Sequence, residues 1–312
     1  MSKVLVTGAT GFVGANLARH LLKEGYDVHI FVRATSNLWR IEDIATQMKI
    51  YILDLLEKEK VYSVVHEIRP TLIFHLATAG IYGGVHPDEY QAIDTNLVGT
   101  INLINACNDI DYKCFVNTGS SSEYGKKKNP MKEDDICEPN TIYGITKLAA
   151  TLYAVNVGRK NGKPIVTLRL FSPYGPYDDS RRLISYVISN SLRNKPLSLS
   201  NPNSVRDYIF IDDVIEAYMS CIQKADYCKG ETFNIGSGVQ RKISEVVEII
   251  LQKVGSNLKP NWGSIAGRDY EPEIWQADIT KARKHLNWHP KYRLEEGLER
   301  TINWFKDNLS HY

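Results

Sequence analysis

The chain has 312 residues, 43% of them hydrophobic and 24% charged, with 38 basic against 36 acidic side chains and a formal charge of +2. That balance, with no basic block beyond the lysines at 126–128, argues against a nucleic-acid or membrane-surface partner, and no run of about 18 apolar residues offers a membrane span. Five cysteines, at 107, 114, 137, 221 and 228, fit neither a disulfide framework nor a zinc site, so no metal is expected and a reducing cytoplasm is the simplest compartment. A strand-like run beginning by residue 3 leaves no room for a signal peptide.

Val4, Leu5 and Val6 form a short apolar run suited to a strand buried on both faces. Gly8, Gly11 and Gly14 follow at once, and Val13, Leu17 and Leu21 then recur every four residues on one helical face. Strand, glycine turn and helix in that order set the unpaired N–H groups of a helix N-terminus against a diphosphate. Glycine lets the backbone approach that group closely. Strand-like runs recur at Val28–Val32, Lys49–Leu53, Leu72–Leu76, Cys114–Asn117 and Ile165–Leu168, with helical segments between them. The alternation predicts an α/β fold, a doubly wound parallel sheet of the Rossmann type. Residues 1–171 are expected to form this dinucleotide-binding domain and 172–312 a smaller α/β lobe for substrate, with a strand near 232–235 returning to the large sheet.

The second strand ends in Val32-Arg33-Ala34-Thr35-Ser36, with Arg40 close behind and no acid until Glu42. An acid here would bond the adenosine ribose, whereas arginine grips a 2′-phosphate through two N–H donors. NADP is therefore favoured, with NAD possible; an arginine directed into solvent is the plainer alternative. The fifth strand runs into Thr118-Gly119-Ser120-Ser121-Ser122-Glu123-Tyr124-Gly125, and Tyr143 and Lys147 later open a helix. Their spacing of four sets both on one helical face. A free phenol, with a pKa of about 10, is a poor base at neutral pH, and a neighbouring ammonium favours its ionised form. Bringing it to about 7 takes about 4 kcal/mol.

Taken together, TGATGFVG, His75-Leu76-Ala77, the serine cluster, the Tyr143/Lys147 pair, Arg169-Leu-Phe-Ser172-Pro173-Tyr174-Gly175-Pro176, Arg206-Asp207-Tyr-Ile-Phe-Ile-Asp-Asp213 and the closing Asp278 to Pro290 segment stand in one order. In that order they resemble the extended short-chain dehydrogenase/reductase family, in its nucleotide-sugar epimerase/dehydratase branch. The resemblance implies a cofactor lying along Gly8, Thr10, Gly11, Phe12 and Val13, with Asp54 and Leu55 at the adenine and Leu76 and Ala77 beneath. It implies that Tyr143 moves a hydroxyl proton, that Ser120 holds that oxygen, and that Lys147 binds the nicotinamide ribose while tuning Tyr143. Ser121, Ser122 and Ser172 would join Ser120 at the substrate, and Arg206 and Arg268 would grip its diphosphate. His75 is expected to be a packed, hydrogen-bonded histidine, and Asn96 to fix backbone.

Related 4,6-dehydratases carry an Asp-Glu pair directly after the Ser/Thr position, because loss of water needs an acid and a base. Here both places are serine, and Glu123, displaced by one, is expected on the other face of the strand. The leading expectation is an NADP-dependent reductase of a nucleoside-diphosphate 4-keto-6-deoxyhexose, which Arg33 and the LRLFSPYGP segment favour. A nucleotide-sugar 4-epimerase is the alternative, a 4,6-dehydratase less so, and a non-catalytic NADP-binding regulator the reading from a different class. Such regulators usually lose the Tyr/Lys pair. The resemblance also implies a homodimer, joined through the helices following Asn96 and starting at Tyr143.

Overall fold

The structure, a computed structural model, describes residues 2–80, 88–265 and 272–312. Arg268, expected at the substrate diphosphate, lies outside the described residues. The first half alternates β1 (Lys3–Thr7), α1 (Phe12–Lys23), β2 (Asp27–Val32), β3 (Lys49–Ile52), α2 (Lys58–Ile68), β4 (Leu72–His75), α3 (Glu89–Ile93), α4 (Gly99–Cys107), β5 (Cys114–Ser120), α5 (Ile142–Asn161) and β6 (Ile165–Leu170). Then come β7 (Ser172–Tyr174), α6 (Leu183–Leu192), β8 (Ser198–Leu199), β9 (Val205–Phe210), α7 (Ile211–Lys224) and β10 (Glu231–Ile235). The described chain closes with β11 (Gln240–Lys242), α8 (Ile243–Val254), β12 (Asn261–Trp262), α9 (Thr280–Leu286) and α10 (Leu294–Asn308).

Seven strands form one parallel sheet in the order β10-β6-β5-β4-β1-β2-β3. Residues alternate across it. Leu5, Ile73 and Phe115 pack with Val61, Leu103 and Ile104 of α2 and α4 on one face. Val4, Val6, Phe74 and Val116 pack with Leu17 of α1 and Tyr218 of α7 on the other. With helices on both faces, β4 and β6 are buried throughout, and both are mainly apolar, broken only by His75 in β4 and by Thr167 and Arg169 in β6. β7, β9 and β11 make a smaller sheet, and β8 pairs with β12. In the large sheet the chain passes from β1 outward to β2 and β3, then crosses back to β4 on the other side of β1. The strand order therefore reverses between β1 and β4, opening the crevice at the carboxyl ends where open α/β sheets bind ligands.

A polar row crosses the sheet just inside that crevice: Thr7, His75, Asn117 and Thr167 stand in register on β1, β4, β5 and β6. The proton positions on His75 follow from its neighbours. Thr100 Oγ1 donates to the Asn96 carbonyl at 2.7 Å, so it accepts from His75 Nε2 at 2.8 Å. Nδ1 is then the acceptor and takes the Thr7 hydroxyl at 2.7 Å, while Thr7 Oγ1 accepts the Ala77 amide. Burial, with the Lys147 charge adding to it, pulls the His75 pKa down to about 3, so the ring is neutral. Asn96 lies in a π-helical turn, Asp94–Val98, fully buried. Its side chain bonds Thr78, both the N–H and C=O of Ala79, and Thr146.

Glu123 lies not on the strand but at the end of the 3₁₀ turn Ser121–Glu123 that follows β5; it is completely buried and does not line the cavity. Its carboxylate accepts the Ser120 amide (2.8 Å), the Thr151 hydroxyl (3.0 Å) and Arg169 Nε (2.7 Å). One side chain thus joins β5, α5 and β6. Glu123→Ala leaves the Arg169 guanidinium buried without its counter-ion, and denaturant unfolding should show a loss of about 3–5 kcal/mol. Replacing both partners together (Glu123→Leu with Arg169→Met) should recover most of that loss; a double variant as unstable as the single one contradicts this account.

Candidate active site

The glycine turn is shaped partly by the protein and partly for something else. Gly8 has φ +73°, and a Cβ there would meet the Leu76 carbonyl carbon at 2.5 Å. A Cβ on Gly14 would collide with the Gly8 carbonyl. These two glycines let β1 press against the end of β4 and let α1 begin directly above it. At Gly11 a Cβ would meet only the Gly8 carbonyl oxygen, at 3.2 Å, and this residue faces an open cavity together with Phe12 and Val13. The first N–H groups of α1 have no partners within the helix. A bare glycine face beside unpaired amides suits a diphosphate.

The cavity extends along the carboxyl ends of the strands and measures about 1620 Å³. That exceeds the roughly 300–1,000 Å³ of a single small-molecule site, leaving room for two ligands end to end. Its first half is lined by Gly8, Thr10 and Gly11, with Leu76 and Ala77 as the floor. Arg33, Asp54 and Leu55 line its outer end. The Arg33 side chain is exposed, and its amide bonds Ser36 Oγ at 3.0 Å. Asp54 spends one carboxylate oxygen on the Leu56 amide. The residues present therefore fit a dinucleotide.

Ser120 stands at the end of β5, and Tyr143 and Lys147 on the first turns of α5, which packs against that strand. Ser120 closes β5 and its Oγ accepts the Ser122 amide at 3.1 Å. Thr141 caps α5 by accepting the Gly144 amide at 3.1 Å. Gly144 is what permits the approach: a Cβ there would stand 2.5 Å from the Ser122 carbonyl oxygen. The first helical turn thus abuts the serine turn, and Ser120, Ser121, Ser122 and Tyr143 all line the cavity. Lys147 follows one turn later, 3% exposed. Among the described residues it has no ion pair or hydrogen bond for its ammonium. Burial pulls its pKa down to about 8, opposed in part by the Glu123 charge. A desolvated amine with no partner is an expensive thing for a core to hold unless something else bonds it.

On the far side, Ser172 and Arg206 line the second half of the cavity. Arg206 Nη1 donates to the Val205 carbonyl at 2.6 Å, and its guanidinium lies 5.5 Å from the Trp275 ring. Asp207 was legible only as part of a motif, with no role of its own, and Asp178 and Arg182 escaped the sequence reading. Asp207 is fully buried and accepts four donors, from Ser237 N and Oγ, Gly238 N and Ala277 N, which ties two loops to β9 beside Arg206. Asp178 and Arg182 pair at 3.1 Å and both line the cavity. Burial raises the Asp178 pKa to about 6 even beside Arg182. The acid-to-base spacing of four in Asp178 and Arg182 was a readable signal; that both face the cavity was not.

Comparison with known proteins agrees with this geometry along the whole chain. Residues 5–301 match the family model described as GDP-mannose 4,6 dehydratase. The chain is 29% identical to the UDP-glucuronate 4-epimerase of Thermodesulfobacterium geofontis over 99% of its own length and 98% of the relative's. It superposes on the crystal structure of a UDP-glucose 4-epimerase with UDP-glucose from Thermotoga maritima with a TM-score of 0.90, at 26% identity and covering 98% and 99% of the two chains. A UDP-glucuronic acid 4-epimerase from Bacillus cereus, solved with UDP-glucuronic acid and NAD, superposes with a TM-score of 0.87 at 28% identity, over 98% and 99% of the two chains. A Rossmann sheet with a glycine turn, a Tyr/Lys helix and a full-length family match make this chain an enzyme of the extended short-chain dehydrogenase/reductase family, in its NAD-dependent epimerase/dehydratase branch.

Proposed function

We propose that the protein is an NAD-dependent 4-epimerase acting on a UDP-linked hexose or hexuronate. The observation that carries this reading is the wall around Ser120 and Tyr143: serine, not a carboxylate, occupies both positions after Ser120, and Glu123 is turned away into the core. The serine turn with Tyr143 can move a proton at one hydroxyl, but among the described residues directly after Ser120 there is no carboxylate pair facing the cavity to serve as the acid and base that elimination of water needs. Relatives similar over their full length are named as UDP-sugar 4-epimerases, which favours this outcome over the 4-keto-sugar reductase that Arg33 suggested.

In this reading Tyr143 takes the proton of the sugar 4-hydroxyl and later returns it, while Ser120 Oγ holds the same oxygen in line. Lys147 bonds the ribose diol next to the nicotinamide, and its charge favours the ionised phenol. The bound nicotinamide supplies a reversible hydride acceptor at the sugar carbon. Arg206, held by Val205 and Trp275, neutralises the diphosphate, and Arg268 is proposed to do the same. Ser121, Ser122 and Ser172 offer hydroxyls to the sugar. We place the protein in the cytoplasm, in keeping with its five free thiols.

Arg33 supports a second reading. Exposed at the outer end of the cavity, it suits a 2′-phosphate and hence a reductase consuming NADPH. Incubation with UDP-glucose, UDP-glucuronate and their 4-epimers, and separately with a nucleoside-diphosphate 4-keto-6-deoxyhexose, with each cofactor, separates the two. Interconversion without net change in NADH or NADPH supports the epimerase; NADPH loss matching product formation on a 4-keto sugar supports the reductase. Tyr143→Phe should retain cofactor affinity within a few-fold and lower kcat by about 10²–10⁴.

Lys147 makes a separate prediction. Its folded pKa of about 8 lies below the ordinary value of 10.5. The unfolded chain therefore binds the proton more tightly, and stability rises with pH between those values. Below pH 8 the buried charge costs about 3 kcal/mol, at about 1.36 kcal/mol per unit. Lys147→Met should abolish turnover yet raise the stability of the cofactor-free protein at pH 7 by up to that amount, with the advantage shrinking towards pH 10. Equal stability across this range contradicts the assignment.

We also propose a homodimer. Of the two helices expected at the contact, α5 exposes Ile145 and Leu152, the latter 58% exposed and two helical turns away, whereas α4, which follows Asn96, exposes no residue. The exposed apolar side chains beside α5 are Tyr90 and Ile93 of α3, which precedes Asn96. A second copy laid against this face would cover them. Light scattering should give twice the chain mass for the native protein and a monomer for Leu152→Glu; a native monomer at micromolar concentration contradicts the proposal.

A further inference from the structure

The two halves of the cavity are joined by a side chain that lines neither. Arg40 follows β2, and its Nε donates to the Tyr177 carbonyl at 2.7 Å while Nη1 reaches the Thr10 carbonyl at 3.5 Å. Thr10 belongs to the glycine turn at the dinucleotide end. Tyr177 precedes Asp178, which is 1% exposed and lines the cavity, and whose carboxylate orients Arg182. Arg182 in turn donates to the Pro173 carbonyl at 2.9 Å. One planar guanidinium therefore connects the turn that faces a diphosphate with the segment that shapes the opposite wall.

The Tyr177 backbone gives this connection a purpose. Its φ is +67°, a left-handed conformation that a tyrosine adopts only when its surroundings enforce it. Those surroundings are all in place. The Arg19 guanidinium lies 4.4 Å from its ring and the Trp304 ring 4.7 Å away. Asn16 Nδ2 holds the preceding Pro176 carbonyl at 3.0 Å, and Arg40 holds its own. Arg40 is itself fixed, with its guanidinium 4.6 Å from the Trp39 ring and its carbonyl accepting from Arg19 at 2.7 Å. Backbone strain held by this many contacts beside a ligand cavity marks a segment whose position matters to that cavity.

We propose that Arg40 is a positioning residue that couples the two ends of the site, so that a dinucleotide ordering the glycine turn also sets Asp178 and Arg182 for the nucleotide sugar. The inference rests on the reading of the cavity as a dinucleotide plus nucleotide-sugar site. Isothermal titration calorimetry of UDP, dTDP, CDP and GDP into the full chain, with and without saturating NAD, tests it. For the nucleotide that binds tightest, NAD should lower its Kd about five-fold or more in the native protein. In Arg40→Met that ratio should fall below about two-fold while each ligand alone still binds. If Arg40→Met does not fold, Arg40→Lys decides: a single ammonium cannot hold both carbonyls as the planar fork does, and the ratio should at least halve. A merely structural role would weaken both ligands alike and leave the ratio unchanged, which overturns the proposal, as does a native ratio near one. A native protein that binds none of the four nucleotides overturns the nucleotide-sugar reading as well.

Discussion

The arrangement of this site depends on where one carboxylate is buried. Glu123 receives the backbone amide of Ser120, a hydroxyl from α5 and the guanidinium of Arg169, so it fixes the end of β5 relative to both neighbouring elements. Ser120 cannot shift without moving Glu123, and α5, which carries Tyr143 and Lys147, is held by the same group. A buried ion pair of this kind contributes little net stability against apolar replacements, because desolvation offsets attraction. Its value lies in geometry. In the dehydratase pattern carboxylates stand at the two positions before it, facing the substrate; here the only acid of the turn serves the framework.

The second constraint is the Lys147 amine. The fold places a cation in its interior with no ion pair or hydrogen bond among the described residues, near a neutral histidine whose donors and acceptors are all engaged. Charge is held where the fold would be more stable without it, as happens at sites shaped for a ligand. The polar row of Thr7, His75, Asn117 and Thr167 lies just beneath. Its hydrogen bonds join β1 to β4 through Thr7 and His75 and β5 to β6 through Asn117 and Thr167, beneath the glycine turn and the serine turn respectively.

Much of this was legible from residues alone, for stated reasons. The short apolar runs of the first six strands could be placed from the residues, although β3 lies at the sheet edge and is mostly exposed, and the returning Glu231–Ile235 was expected from the family resemblance. β5 and β6 ran further than their apolar signals, because Thr118, Gly119 and Ser120 continue the one and Arg169 and Leu170 the other. The two- and three-residue strands of the second half carry no periodic signal. The glycine turn was legible because Gly8 needs positive φ, and the Tyr143/Lys147 pair because helical spacing fixes their common face. The Arg40 link spans 137 residues, and Glu123 meets Arg169 across 46; no local pattern announces such contacts. Arg33 was read as a phosphate ligand, and it does line the cavity, but exposure alone does not separate a 2′-phosphate from solvent.

The central claim is that hydrogen leaves the sugar C4 and returns to the same carbon of the same molecule, while Tyr143 moves only the hydroxyl proton. A UDP-sugar substrate deuterated at C4, turned over with NAD in ordinary water, tests this most directly. The account predicts a 4-epimer that retains deuterium fully at C4. Protium from solvent at C4, or deuterium found at a neighbouring carbon, would contradict it.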